Sequence, residues 1–281
     1  MKKIIILAIT FSAEVLATSA WAQIENVATK DSNLVISNIY AGLLAWTGYK
    51  LDTFSLPSAA TVRVGSVLTW KTSQKLSIEV MGVYEAGAGK PLVIAAGWMR
   101  YRPAKNWKVM AGYIPTPISE QRPFPLSPGG QFETWTMSQI PGGALGFKNT
   151  LILGKATLVS GIVRRSAGFE YQLAGSYGPL TTGLYYQPDS KSMGFATTLT
   201  TSKVYSLLVI KPTLIGNTSV LKVAKNLKIY NDCGFDLKEK KFLREVFGIF
   251  RPFTSKTFKG LLSFSYSVTD NSLISCLFIH I

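Results

Sequence analysis

The sequence predicts an all-β fold: a transmembrane antiparallel up-and-down β-barrel. Three observations carry that reading. The chain is 47% hydrophobic and only 16% charged, against roughly 25% charged residues in a soluble domain. Its apolar residues recur at every second position instead of in blocks. Past the N-terminus no apolar run reaches the roughly 18 residues of a spanning helix. The connections between alternating segments themselves alternate, short then long. Strands that are apolar on one side and polar on the other separate two solvents. Counting through the chain gives about 16 strands, with 12 or 14 as alternatives.

The first 22 residues read as a signal peptide. Lys2 and Lys3 form a positive start, Ile4 to Phe11 a short apolar stretch, and Ala20-Trp21-Ala22 a small-x-small cleavage site. Glu14 is an unusual charge for such a leader. An uncleaved anchor is the alternative, but the run is shorter than the roughly 20 residues a membrane helix needs. Cleavage leaves 23–281 as the barrel and, with Lys2, Lys3 and Glu14 gone, takes the formal net charge from +15 to +14. Cys233 and Cys276 are too few for a disulfide framework, though the two could pair.

Asn33 to Trp46 reads as a first strand. From Ala60 to Lys71, Val62, Val64, Leu68 and Trp70 fall on one face; Arg63, Gly65, Thr69 and Lys71 fall on the other. Leu76, Ile78, Val80 and Tyr84 then alternate with Ser77, Glu79, Met81 and Glu85. Val93 to Arg102 follows, with Arg100 and Arg102 opposite Met99 and Tyr101. Trp107, Val109, Ala111 and Tyr113 alternate with Lys108, Met110 and Gly112. Aromatics at both ends of an apolar face are how interfacial girdles look in sequence.

Ile114 to Pro141 interrupts this pattern. It holds Pro115, Pro117, Pro123, Pro125, Pro128 and Pro141 and the pair Gly129-Gly130. Proline removes a ladder donor and fixes φ, so the stretch is neither a central strand nor a long helix. Loops this long are functional or disordered. Phe124, Phe132, Trp135 and Met137 want burial and favour function. Alternation resumes over Ala144–Leu153, Lys155–Arg164, Gly168–Tyr177, Leu180–Gln187, Met193–Thr200 and Lys203–Lys211. Ser219 to Phe250 is lysine-rich and has no clear period, and Asp236 to Phe247 suits a short helix. Two strands close the chain. One presents Phe258, Leu262, Phe264, Tyr266 and Val268, the other Leu273, Leu277, Ile279 and Ile281. Connections after the even-numbered strands are short; those after strands one, three, five, nine and eleven read as longer.

The whole alternating region resembles a Gram-negative outer-membrane porin. The segment G-Y-I-P-T-P-I-S-E-Q-R-P-F-P, Gly112 to Pro125, is similar in character to phosphate-selective-type porins. The resemblance implies that the long loop after the fifth strand folds into the barrel and narrows a pore. It also implies an outer-membrane location, with outer-membrane lipid, small solutes including anions, the barrel assembly machinery and a homotrimer as partners. It implies no cofactor. Many such barrels end on an aromatic that the assembly machinery reads; here Phe278 lies three residues before Ile281.

Rings of Arg or Lys favour anions in a pore. The candidates for constriction and selectivity are Glu120 and Arg122 in the loop, with Arg63, Lys71, Arg100, Arg102 and Lys108 on the wall. Arg can take carboxylate or phosphate in bidentate fashion. Glu120 and Arg122 could instead pair and pin the loop. Arg164 and Arg165, at a predicted hairpin tip, suit lipid head groups. Net positive charge fits anion preference and equally a lysine-rich composition.

Catalysis finds little support. The one histidine is His280, on the final strand, and a nucleophile–base pair needs a third orienting group. No His, Cys or carboxylate cluster has metal spacing. Gly87-Ala88-Gly89-Lys90 looks like part of a phosphate loop, but Tyr84 stands where that motif needs its first Gly, so a hairpin tip is expected. Export argues against nucleic acid as partner. The function expected is passive diffusion of small hydrophilic solutes with mild anion preference. The alternatives are a non-conducting structural or adhesive barrel and a soluble ligand-binding β-protein.

Overall fold

The computed structural model describes residues 34–50, 58–86, 92–115, 135–254 and 259–280, with side chains over 69–80, 97–115, 136–254, 260–273 and 275. The leader 1–22, the tip Gly87–Lys90 and the loop residues Glu120, Arg122, Phe124 and Phe132 lie outside that set.

Sixteen strands and one helical turn are found among the described residues. In order they are β1 (Leu34–Lys50), β2 (Ser58–Lys71), β3 (Leu76–Ala86), β4 (Leu92–Ala104), β5 (Trp107–Ile114), α1 (Trp135–Ser138), β6 (Ala144–Leu153), β7 (Ala156–Arg165), β8 (Gly168–Tyr177) and β9 (Leu180–Gln187). They continue with β10 (Ser192–Thr200), β11 (Val204–Lys211), β12 (Leu214–Ala224), β13 (Leu227–Asp236), β14 (Lys241–Thr254), β15 (Lys259–Ser267) and β16 (Ser272–His280). Each strand pairs antiparallel with its sequence neighbours. β1 also pairs with β16, from Gly42↔His280 to Lys50↔Ser272, which closes the sheet into a barrel. Its pairing with β2 runs from Leu34 to Thr47, so the two flanks of β1 are staggered along its length. Such stagger is the shear that closure of a tilted barrel requires.

The period-2 text becomes two surfaces. Trp70, Ile78, Met99, Tyr101, Trp107, Tyr113, Phe147, Phe169, Tyr171, Leu173, Phe247 and Phe264 are exposed on the outer face. Their neighbours in sequence, among them Glu79, Met110, Lys148, Glu170, Gln172 and Thr218, are buried on the inner face. This inversion of a soluble protein follows from the pleat, because a barrel sends alternate residues to two different media.

Two expectations are corrected. Ser219 to Phe250 contains no helix; it completes β12 and forms β13 and most of β14. Bulges between Lys222 and Ala224 and between Gly234 and Phe235 break the alternation there, which hid the strands from a period count. The connections after β9 and β11 are also short. Lys191 N–H closes a turn onto Pro188 C=O at 3.1 Å, and Pro212-Thr213 suffices between β11 and β12. Proline there marks a tight turn instead of a long loop.

Backbone freedom is demanded at Gly112, which has φ 126° inside β5 and whose Cβ would run into the backbone of Gly97 and Trp98. It stands two residues before the point where the chain leaves the wall.

Candidate pore and its inner wall

An inner barrel face is ordinarily polar. Part of this one is not. Tyr205, Leu207 and Val209 on β11, Val220 on β12, Tyr230 on β13 and Phe250 on β14 all point inward and are buried, Leu207 and Val209 fully so. What covers them is the end of the long connection. Met137 of α1 and Ile140 just after it join these residues in one apolar cluster. Between the end of β5 and the start of β6, the described segment from Trp135 to Pro141 thus lies against the β11–β13 side of the wall. The described end of the connection, Trp135 to Pro141, is inside the barrel.

Polar contacts hold it at four places. At its start, Lys148 of β6, wholly buried, donates from Nζ to Pro115 C=O at 3.0 Å. On the far wall, Asp232 Oδ1 accepts from Thr136 N–H at 3.2 Å and from Thr218 Oγ1 at 2.7 Å. Lys211 Nζ donates to Gln139 Oε1 at 3.4 Å. At the loop's end, Arg165 donates from Nη2 to Gly142 C=O at 2.8 Å and from Nη1 to Gly143 C=O at 3.3 Å. Its Nη2 also meets Glu170 Oε1 at 3.1 Å, and Gln172 donates to the same oxygen. A second apolar cluster of Met110, Ile114, Ala144 and Val163, with Trp98 against it, packs where the loop departs and returns.

The sequence candidates separate under this geometry. Arg100 faces inward but is paired. Its Nη1 lies 2.7 Å from Glu79 Oε1 and its Nη2 2.8 Å from Oε2. Trp98 Nε1 and Ser77 Oγ donate to the same carboxylate at 3.1 and 3.3 Å. Glu79 is 5% exposed, and its two oxygens are bonded to both Nη atoms of Arg100, so the pair is neutral, with Arg100 Nε buried and without a partner among the described residues. Arg100 is thus part of the wall's hydrogen-bond lattice and not an open cation. By alternation Arg102 and Lys108 also lie on the inner face, on either side of an irregularity in the β4–β5 pairing between Tyr101 and Ala104. Lys71 joins them on that face near the end of β2. None of these three has an ion pair among the described residues. Arg63 lies in β2 at the register position opposite Glu85; its side chain, like Glu120 and Arg122, is outside the described residues. His280 ends β16.

Arg164 and Arg165 part company. Arg164 is exposed on the outer face beside Phe169, as expected of a residue near head groups. Arg165 turns inward and clamps the loop, which corrects its placement at the lipid. Adjacent residues of a strand cannot share a face.

Lys148, Arg165, Glu170, Asp232, Lys211 and Glu79 were not singled out from sequence as site residues. All stand at inward positions of the alternation, so parity carried the direction of each. Their partners are remote in sequence, and nothing local announces them.

Among the described residues the inner wall is most basic near the end bearing the six short turns 72–75, 105–106, 154–155, 178–179, 201–203 and 225–226. There Lys222 and Lys228 stand directly opposite on β12 and β13, with Lys228 Nζ 5.7 Å from the Phe250 ring centroid, a cation–π contact.

No protein-family model matches the chain, and no curated protein matches it by sequence. Solved structures do match its fold. A mutant of the Rhodopseudomonas blastica porin aligns over 88% of this chain and 99% of its own, with a TM-score of 0.61 and 11% identity. Salmonella typhi OmpF, solved in complex with daunomycin, aligns over 91% and 99%, with a TM-score of 0.62 and 10% identity. At these identities the likeness establishes the fold alone. It is the fold of a bacterial porin barrel.

Proposed function

We propose that this chain is an outer-membrane porin through which small hydrophilic solutes diffuse, with mild anion preference. The observation that carries the reading is the end of the long loop docked inside a closed barrel, bonded to Asp232 through Thr136 and packed by Met137 and Ile140 on the far wall. A segment pinned there narrows the lumen. Lys71, Arg102 and Lys108, without an ion pair among the described residues, support the preference for anions, since an unscreened cation in a narrow low-dielectric channel concentrates counter-ions. The likeness of Gly112–Pro125 to phosphate-selective-type porins supports phosphate as one such anion. The outer face supports a lipid environment; short turns on one rim and the long loop on the other support periplasmic and extracellular sides. A signal peptide over 1–22, delivery by the barrel assembly machinery and a homotrimer belong to the same proposal, as does a channel role in place of an enzymatic one.

The test is single-channel recording of refolded protein in planar bilayers under a salt gradient. Stable conductance steps with an anion-directed reversal potential are expected. A correctly folded barrel that stays silent would overturn the porin reading and leave a structural or adhesive one.

A further inference from the structure

Five of the six short turns carry a lysine, and none of the six carries an acid. The lysines are Lys75, Lys105, Lys155, Lys203 and Lys225, all exposed and without an ion pair among the described residues. The opposite rim is different. Its turns mix Lys191, Lys238 and Lys240 with Asp189, Glu239 and Asp270, and the nearby pairs Lys241–Glu239 and Arg244–Asp270 bring opposite charges together. The lysine rim is thus a feature of one end.

A second observation fixes its height. The outermost large apolar residues at that end, exposed on the outer face, include Trp70, Tyr101, Trp107, Leu153, Tyr177 and Val223. Aromatic residues in such a band sit at the boundary between hydrocarbon and head groups. Lys105 precedes Trp107 by two residues, Lys155 follows Leu153 by two and Lys225 follows Val223 by two. At about 3.3 Å per residue the ammonium groups stand within about 10 Å of the band, in the layer where lipid phosphates lie. Arg251, outward and exposed toward the same end of β14, can extend its guanidinium to that layer.

We infer that this rim is a docking surface for anionic phospholipid head groups, those of the leaflet that the short turns enter. The inference rests on the membrane reading given above. Charge complementarity, the absence of acids from the six described turns and the height set by the aromatic band favour lipid over an acidic peptide, which would need a concave or apolar seat beside the charges.

The experiment uses the full chain refolded in neutral detergent. Retention of phosphatidylglycerol against phosphatidylcholine is then read by native mass spectrometry, and refolding is repeated in vesicles of each composition. A severalfold preference for phosphatidylglycerol is expected, fading as salt is raised from 0.1 to 1 M because the Debye length shrinks from about 10 to about 3 Å. Replacing the five turn lysines by glutamine should abolish the preference, each replacement lowering it by at most about fivefold. A control variant, Lys191→Gln, Lys238→Gln and Lys240→Gln at the other rim, should keep it. A folded barrel indifferent to head-group charge, or one in which the control loses as much as the test variant, overturns the inference while leaving the barrel intact. So does polyglutamate that displaces phosphatidylglycerol from the rim at equal charge concentration, which makes the surface a peptide site. A chain that folds in neither detergent nor vesicles overturns the membrane reading, and this inference with it.

Discussion

Glu79 and Lys108 stand on the same stretch of inner wall, on β3 and β5, with opposite expected phenotypes. Glu79→Ala removes the acceptor of Arg100, Trp98 and Ser77 at once. Leaving a partly buried guanidinium and an indole N–H unpaired costs about 1–3 kcal/mol, discounted here because the Arg100 side chain is 26% exposed. The urea midpoint for unfolding of the refolded barrel should fall accordingly. Lys108→Gln breaks no such lattice and should leave that midpoint within about 0.5 kcal/mol of the parent. Its effect should appear in the reversal potential, which moves toward neutrality. If Lys108→Gln destabilises as much as Glu79→Ala, the division of the wall into bonded and open charges is wrong.

Asp232 is the polar half of the loop's attachment at this same scale. Asp232→Ala deprives Thr136 N–H and Thr218 Oγ1 of their acceptor inside the barrel, a loss of about 1–3 kcal/mol. Increased current noise with the loop still present is the expected outcome, checked by comparing noise spectra with those of the conservative Asp232→Asn, which keeps an acceptor oxygen.

At the scale of elements, α1 is a single helical turn and has no stability of its own. It exists because Met137 and Ile140 bury against β11–β14. Full burial of each is worth about 1.5–3 kcal/mol, and truncation to alanine costs about 2–5 kcal/mol where the site cannot collapse. The double variant Met137→Ala, Ile140→Ala should therefore release the loop from the far wall while the strands, held by their ladders, stay paired. Single-channel conductance should rise and the far-ultraviolet β signal stay unchanged. Unchanged conductance would mean that the docked segment lies clear of the permeation path. The apolar inner faces of β11 and β12 then need another occupant.

The whole molecule carries its charge unevenly. Among the described residues, basic side chains crowd the short-turn end of the lumen, where Glu79 is neutralised by Arg100, whereas acids such as Asp232 and Glu170 lie toward the other end. An axial asymmetry of this kind raises anion concentration at one mouth. Current through one channel should differ between polarities by about twofold at 0.1 M salt and become symmetric at 1 M, as screening shortens the range of each lysine. A linear current–voltage relation at both salt concentrations would show that the mouth does not govern permeation.

What the sequence determined by itself was the barrel. Alternation of Trp70, Ile78, Met99, Trp107 and Phe169 with their polar neighbours is a local property, read residue by residue, and one-residue register slips would invert every face. The same parity sent Lys148, Glu170 and Asp232 inward. Where bulges shift the period, in β12 to β14, the signal failed and a helix was expected in place of strand. The loop was legible as a loop because proline excludes the alternatives. Its entry into the barrel was expected only through the resemblance to porins, and its seat on β11–β14 was not legible at all. That Asp232 caps α1 depends on where the loop lands across the lumen; that Glu79 takes Arg100 out of the pore and that Arg165 clamps Gly142 and Gly143 depend on the register of neighbouring strands and the return of the loop. Neither strand register nor a loop's landing place has a sequence period, so only the tertiary structure could decide which charges hold the wall and which remain open to solutes.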